Sequence, residues 1–175
     1  MFFDIQTLEK QKIRFDQVFA PGSIDFLDED LKQAGDLRAS GVAELVDPFG
    51  AREIRVRGDL RGAMEVVCAR CLEPIRVPVV CSIDLFYRPM ARIAREEEVA
   101  LDEAECEVGF YEGGGVELAD VVREQVVIEL PMRSLCREDC RGICPACGKN
   151  RNREACDCRE SFTDPRWEAL RDWKN

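Results

Sequence analysis

The spacing of apolar residues changes along the chain. From Leu37 to Pro89 they alternate with polar ones or run together, as VAELVD, AREIRVRGDLRGAMEVVC and IRVPVVCSIDLFYR. Period-two spacing with many Val and Ile predicts strands, and Asp47-Pro48-Phe49-Gly50 is a turn signal between the first two. Three or more antiparallel strands are the economical reading, with Val56, Leu60, Met64 and Val66 on the inner face. From Glu117 to Leu130 the period lengthens. Leu118, Val122, Val126 and Leu130 share one helical stripe, opposite Glu117, Asp120, Arg123 and Glu124. The early acids suit the positive end of a helix dipole, and Pro131 stops the helix. The Val-Val-Ile run inside it leaves a strand as the competing reading.

The remaining segments carry weaker patterns. Residues 1–35 are mixed, with Asp25 to Ala34 as a short helix ending at Gly35. EEEVALDEAECE, residues 96–107, reads as a solvated acidic loop, and Gly113 to Gly115 as a flexible break. No GK[ST] follows that triplet, so it makes no case for phosphate binding. Near the end, Asp164 as N-cap and Pro165 at the first helical position start a helix. Its Trp167, Leu170 and Trp173 share a face that docks the tail. The organisation expected is a poorly defined segment over 1–35, an antiparallel sheet plus helix over 36–132, and a cysteine-rich module with a C-terminal helix over 133–175. The fold class is α+β: a small antiparallel sheet, one packing helix and a zinc-stapled cysteine module.

Charge is unevenly placed. The 175 residues carry a formal −10, yet residues 133–175 hold 10 basic and 8 acidic side chains. The tail is therefore slightly positive and the body strongly negative. No run approaches the ~20 apolar residues that span a bilayer, and MFFDIQTLEKQKIRFDQ has no secretion pattern. The expectation is a cytoplasmic protein with no membrane partner, working where thiols stay reduced. Histidine is absent. That removes serine-type triads and every His-containing metal site. No spaced carboxylate pair sits on a recognisable nuclease scaffold, and no small-molecule substrate or enzymatic step is expected.

Ten cysteines in a reducing compartment point to ligands or redox centres rather than disulfides. Eight form close pairs: Cys68 and Cys71 (CARC), Cys136 and Cys140, Cys144 and Cys147 (CPAC, then Gly148), and Cys156 and Cys158. Zinc takes four tetrahedral ligands, and such spacing lets one tight turn present two thiolates. Residues 136–158 hold almost no aliphatic side chains, so metal binding worth about 10–16 kcal/mol in comparable modules would fold them. One zinc is expected on Cys144, Cys147, Cys156 and Cys158. A second would join Cys68 and Cys71 to Cys136 and Cys140, pinning the sheet to the segment after the helix. CARC is also the spacing of a thioredoxin-type redox pair, although GAMEVVC before it is strand and Leu72-Glu73-Pro74 opens no good helix. Four thiolates would also accept an iron–sulfur cluster, without matching a ferredoxin run. Cys81 reads as a buried strand residue, and Cys106 lies in the acidic stretch.

Arg141, Lys149, Arg151 and Arg153 lie in and beside a polar, cationic loop, CGKNRNR, held between two metal-ligand pairs, with no acidic residue between Cys140 and Arg153. They suit phosphate contact, which Asn150 and Asn152 would extend with hydrogen bonds. Equally, a zinc ion with four thiolates is formally −2, and the same cations neutralise it. The negative body favours a basic protein partner over bare duplex.

These residues resemble a family. CARCLEP at 68–74, VVREQ at 121–125 leading into Leu130-Pro131, and LCREDCRGICPACG at 135–148 are similar to the bacterial YceD-like proteins. So are Asn150, Asn152, Cys156, Cys158 and Asp164-Pro165-Arg166. The likeness runs from about residue 40 to 170 and is weak over the first 35 residues. It implies a role in accumulation of 23S ribosomal RNA and biogenesis of the large ribosomal subunit. Ribosomal RNA, a basic ribosomal protein or both would then be the partner. It implies no catalytic residues. A thiol-redox or metal-transfer protein acting through Cys68 and Cys71 is the other class to weigh.

Overall fold

A computed structural model describes residues 1–28, 30–46, 52–90 and 108–158. The turn at Asp47–Gly50, the acidic stretch with Cys106 and the helix after Thr163 lie outside the described residues. The chain divides into two compact units, residues 1–66 with 76–132, and residues 67–75 with 133–175.

The first unit is built on strands β1 (Phe2–Asp4), β2 (Ile13–Phe19), β3 (Lys32–Gln33), β4 (Leu37–Val46), β5 (Glu53–Val67), β6 (Pro74–Pro89), β7 (Val108–Tyr111) and β8 (Gly115–Glu117). Two helices join them, α1 (Ile5–Leu8) and α2 (Leu118–Glu129). The main sheet runs β2-β4-β5-β6-β7, with β3 also on β5. β2 and β4 pair antiparallel, as do β4 and β5, while β6 and β7 are parallel. β1 and β8 form a separate antiparallel ribbon.

Alternation decides the faces. Val56, Leu60 and Met64 on β5 have no exposed surface, and Val66 packs partly against the same core. Charged residues on the opposite face pair across strands, Arg38 with Asp16 and Arg55 with Asp84, both at 2.8 Å or less. Gly41 faces Gly58 across β4 and β5. A side chain at either would collide with the opposite backbone, so the close approach requires glycine. Helix α2 buries Leu118, Val121, Val122 and Val126 completely, leaves Val127 and Ile128 exposed, and ends before Pro131. The stripe read from the sequence therefore holds, widened by Val121. The strand alternative for this run does not.

Two expectations are corrected. Asp25 to Ala34 is not helical among its described residues. Asp25 Oδ1 accepts from Leu27 N, and Asp28 Oδ1 from Asp30 N, each at 2.9 Å. These side-chain bonds give the backbone turns in place of a helix, and Lys32–Gln33 then pairs with β5. Nor is the glycine triplet a bare break. Gly113 takes φ +73° in a turn, and Gly115 belongs to β8 opposite Asp4. The first 35 residues carry order of their own: Phe3 and Phe15 are buried with ring centroids 5.4 Å apart.

Candidate metal centres

The second unit builds two four-cysteine clusters from turns. After β5, Cys68-Ala69-Arg70-Cys71 folds back so that Leu72 N donates to Cys68 O at 2.9 Å and Cys68 N to Glu73 O at 2.9 Å. Cys144-Pro145-Ala146-Cys147 repeats this pattern. Gly148 N donates to Cys144 O at 2.8 Å and Cys144 N to Lys149 O at 2.8 Å. Both turns leave the second cysteine through a left-handed residue, Leu72 at φ 59° and Gly148 at φ 71°. Gly148 fits its position without cost, whereas a leucine there is strained.

Each turn meets a second cysteine pair. The ligand atoms of Cys68, Cys71, Cys136 and Cys140 lie within 4.8 Å of one another, and so do those of Cys144, Cys147, Cys156 and Cys158. Sulfur separations include 3.9 Å for Cys68–Cys140, 3.7 Å for Cys71–Cys136, 3.6 Å for Cys147–Cys156 and 3.3 Å for Cys144–Cys156. Four thiolates about 2.3 Å from a tetrahedral ion stand roughly 3.8 Å apart. The clusters match that spacing, and these thiols are free rather than disulfide-bonded. Each cluster can hold a metal ion. With four protein ligands a tetrahedron is complete, which leaves no position for a catalytic water.

The two clusters differ in depth. Cys68, Cys71 and Cys140 are buried with Ile75 and Leu135 against them, and only Cys136 is exposed. In the second cluster Cys144 is buried, Cys156 half-buried, and Cys147 and Cys158 exposed.

Protonation follows the local donors. Burial opposes ionisation of Cys68, but the backbone N–H groups of Cys71, Arg70 and Cys136 outweigh it and bring the thiol to about 6. Backbone N–H groups of Cys147 and Ala146 bring Cys144 to about 6 as well. At the far side of each cluster the crowding acts the other way. Burial and then the thiols of Cys140, Cys71 and Cys68 push Cys136 up to about 12, and Cys156 and Cys147 push Cys158 up to about 12. Cys140 is lowered too, against burial, by the Asn152 amide and the backbone N–H of Gly142, yet the last thiol of each cluster resists, because four negative sulfurs this close need a cation among them.

The four cations singled out from the sequence all reach the surface of this unit. Arg153 Nη2 pairs with Glu73 at 2.7 Å and Lys149 with Glu154 at 3.5 Å. Arg141 and Arg151 line an open cleft of about 520 Å³ with Glu154, Ala155 and Cys156. The amides of Asn150 and Asn152 make hydrogen bonds inside the unit. Asn150 Nδ2 donates to Glu73 Oε1 at 3.1 Å, and Asn152 Nδ2 to Cys140 Sγ at 3.3 Å. Sequence reading also passed over Arg70, whose Nη1 donates to the carbonyls of Glu138 and Cys140 at 3.0 Å. For Asn152 the available signal was residue type: an amide between two ligand pairs can donate to sulfur and accept from backbone at once. The lone Cys81 packs partly against the core of the first unit, and burial raises its thiol.

Among the described residues no helix is long and apolar enough to cross a membrane. A family model described as large ribosomal RNA subunit accumulation protein YceD matches residues 56–174. Uncharacterized proteins of Mycobacterium tuberculosis and Mycobacterium bovis are 34% identical over 138 residues, 77% of this chain. The chain spans 58% of the length of those relatives. The uncharacterized protein YlbN of Bacillus subtilis is 20% identical over 169 residues, covering 96% of this chain and 91% of its own. No solved structure matches significantly.

Proposed function

This chain belongs to the YceD family, and from that premise we propose that it is a non-enzymatic, cytoplasmic factor in accumulation of 23S ribosomal RNA and biogenesis of the large ribosomal subunit. Its two cysteine clusters hold zinc, one ion each. The observation that carries this reading is the pair of four-thiol clusters inside the segment that the family model matches. Zinc is favoured because an all-thiolate tetrahedron suits a soft, redox-silent ion. The metal is structural: it folds a module with few aliphatic residues and so presents the exposed cations Arg141 and Arg151. These contact RNA phosphates, with Lys149 and Arg153 beside them, while the acidic first unit meets a basic ribosomal protein.

Redox or metal-transfer chemistry through Cys68 and Cys71 is the weaker reading. An attacking thiolate must be reached by its partner, and Cys68 has no exposed surface.

The test joins metal content to RNA. Elemental mass spectrometry on protein purified without added metal is expected to give two zinc ions per chain, and one after Cys68→Ser with Cys71→Ser. Depleting the chain in its host is expected to lower 23S ribosomal RNA relative to 16S, with rescue by the intact chain and not by the double variant. Unchanged 23S levels on depletion would remove the ribosomal reading. Zinc-free protein with reactive Cys68 and Cys71 would bring the redox reading forward.

A further inference from the structure

Asn152 belongs to one cluster by sequence and serves the other by contact. It sits in the loop closed by Cys144, Cys147, Cys156 and Cys158, yet its Nδ2 donates to Cys140 Sγ of the other cluster at 3.3 Å. Its Oδ1 accepts from Arg141 N and from Arg137 Nη2, both at 2.8 Å, so it also holds the Cys136–Cys140 turn. Asn150 fixes the Asn152 amide by accepting from its N at 3.0 Å and its Nδ2 at 2.9 Å. The same loop reaches the CARC turn, where Asn150 and Arg153 take the two oxygens of Glu73 at 3.1 and 2.7 Å.

The arrangement is asymmetric. The sulfur of Cys144 is served by N–H groups of its own turn, Cys147 and Ala146. Cys140 draws its side-chain donor from a loop whose ends are the Cys144–Cys147 and Cys156–Cys158 pairs of the other cluster. Until Cys144, Cys147, Cys156 and Cys158 share an ion, that loop has no covalent or apolar closure, and ordering it costs backbone entropy of about 1–2 kcal/mol per residue. Once closed, it presents Asn152 at the correct place.

Resting on the reading that both clusters hold metal, we infer that Asn152 is a positioning residue that couples them: an ion on Cys144, Cys147, Cys156 and Cys158 tightens binding of the second ion on Cys68, Cys71, Cys136 and Cys140. By linkage the coupling is reciprocal, each ion raising the affinity for the other by the same factor. Partners of this kind around a ligand are worth about 10–100-fold in metal affinity.

Cobalt(II) is the probe, read by its thiolate charge-transfer absorption in the full chain under chelator competition. Cys68→Ser with Cys71→Ser, and Cys156→Ser with Cys158→Ser, supply the reference spectrum of each cluster alone. The informative variant is Asn152→Asp. It keeps an oxygen for Arg141 N–H and the Arg137 guanidinium but replaces the donor at Cys140 with a carboxylate oxygen. Because the change also removes the Nδ2 bond to Asn150 Oδ1, Asn150→Ala is the control for loop closure: it loses that bond and leaves the Cys140 donor in place.

Asn152→Asp is expected to weaken cobalt at Cys68, Cys71, Cys136 and Cys140 about 10–100-fold and shift its charge-transfer band. Loss of Cys156 and Cys158 is expected to weaken the same cluster by a similar factor. Combined, the changes should cost no more than the larger one alone. Multiplying factors, or an Asn152→Asp chain that binds as tightly as the original, would overturn the coupling while leaving both metal sites standing. Absence of cobalt uptake by the unsubstituted chain would overturn the metal reading itself, and the coupling with it. Circular dichroism of each variant checks that the strands of the first unit are retained.

Discussion

Leu72 and Gly148 occupy the same place in two copies of one turn: each follows the second cysteine of a C-x-x-C pair, at φ 59° and 71°. A left-handed conformation costs an L-residue roughly 1–2 kcal/mol and glycine almost nothing. Leu72 is 59% exposed, so little burial compensates it. Leu72→Gly is therefore expected to tighten metal at Cys68, Cys71, Cys136 and Cys140 a few-fold, since relieved strain exceeds the added chain entropy of about 0.5–1 kcal/mol. Gly148→Ala should loosen the other cluster about five-fold or more, corresponding to roughly 1 kcal/mol. Chelator competition measures both. Equal, negligible effects would mean that neither turn sets affinity.

Among the cations, ion pairing separates the roles. Arg153 and Asn150 together hold the Glu73 carboxylate, whereas Arg141 lines the open cleft. Arg141→Ala is expected to weaken RNA binding uniformly across sequences and to reduce the salt slope by about one. Arg153→Ala should act on metal retention as well. Filter binding of ribosomal RNA fragments over a salt series decides it. An unchanged slope for Arg141→Ala would remove that residue from the RNA surface.

On helix α2, burial predicts a sharp contrast within a few turns. Leu118 is fully buried and Ile128 is 72% exposed. Leu118→Ala should cost about 2–5 kcal/mol in urea unfolding of the first unit, and Ile128→Ala under about 0.5 kcal/mol. Comparable losses would mean that Ile128 is covered in solution.

Glu44 sets a pH dependence. It is nearly buried on β4, and hydrogen bonding from Lys12, then Arg57, holds its carboxyl below the ordinary value of 4.5. Between those two values the unfolded chain binds more protons, so stability rises with pH through that window. The contribution is complete above about 4.5 and disappears as pH falls through the lowered value. Glu44→Gln should then cost about 1 kcal/mol at pH 7, discounted because both cations are well exposed. The cost should vanish once the pH is below the lowered value of the carboxyl. A penalty that persists in acid would place the effect in packing instead of charge.

Some of this architecture is legible residue by residue. The alternation through Val56, Leu60 and Met64 assigns β5 and its inner face, because a side-chain period of two admits one buried set. Leu118, Val122 and Val126 define α2 for the same reason at period 3.6. CPAC followed by Gly148 is a complete local turn, since its two hydrogen bonds join residues at most five apart. Other elements carry no such mark. β2 leaves Gln17 exposed between buried Phe15 and Phe19, and the Asp25 and Asp28 side chains imitate helix-cap chemistry while making turns.

The sequence by itself thus determined the long strands, the helix α2 and the face each buries, and that four thiols can gather wherever the tail closes on itself. These depend on neighbours along the chain, and periodicity reports them. Tertiary structure decided what meets what: that CARC shares a cluster with Cys136 and Cys140, more than sixty residues away; that β7 runs parallel to β6; that Asn152 serves a cluster other than its own. Eight chemically equivalent thiols can be divided into fours in many ways. Only chain closure selects one, because a sulfur binds whatever lies within reach and carries no preference for a particular partner.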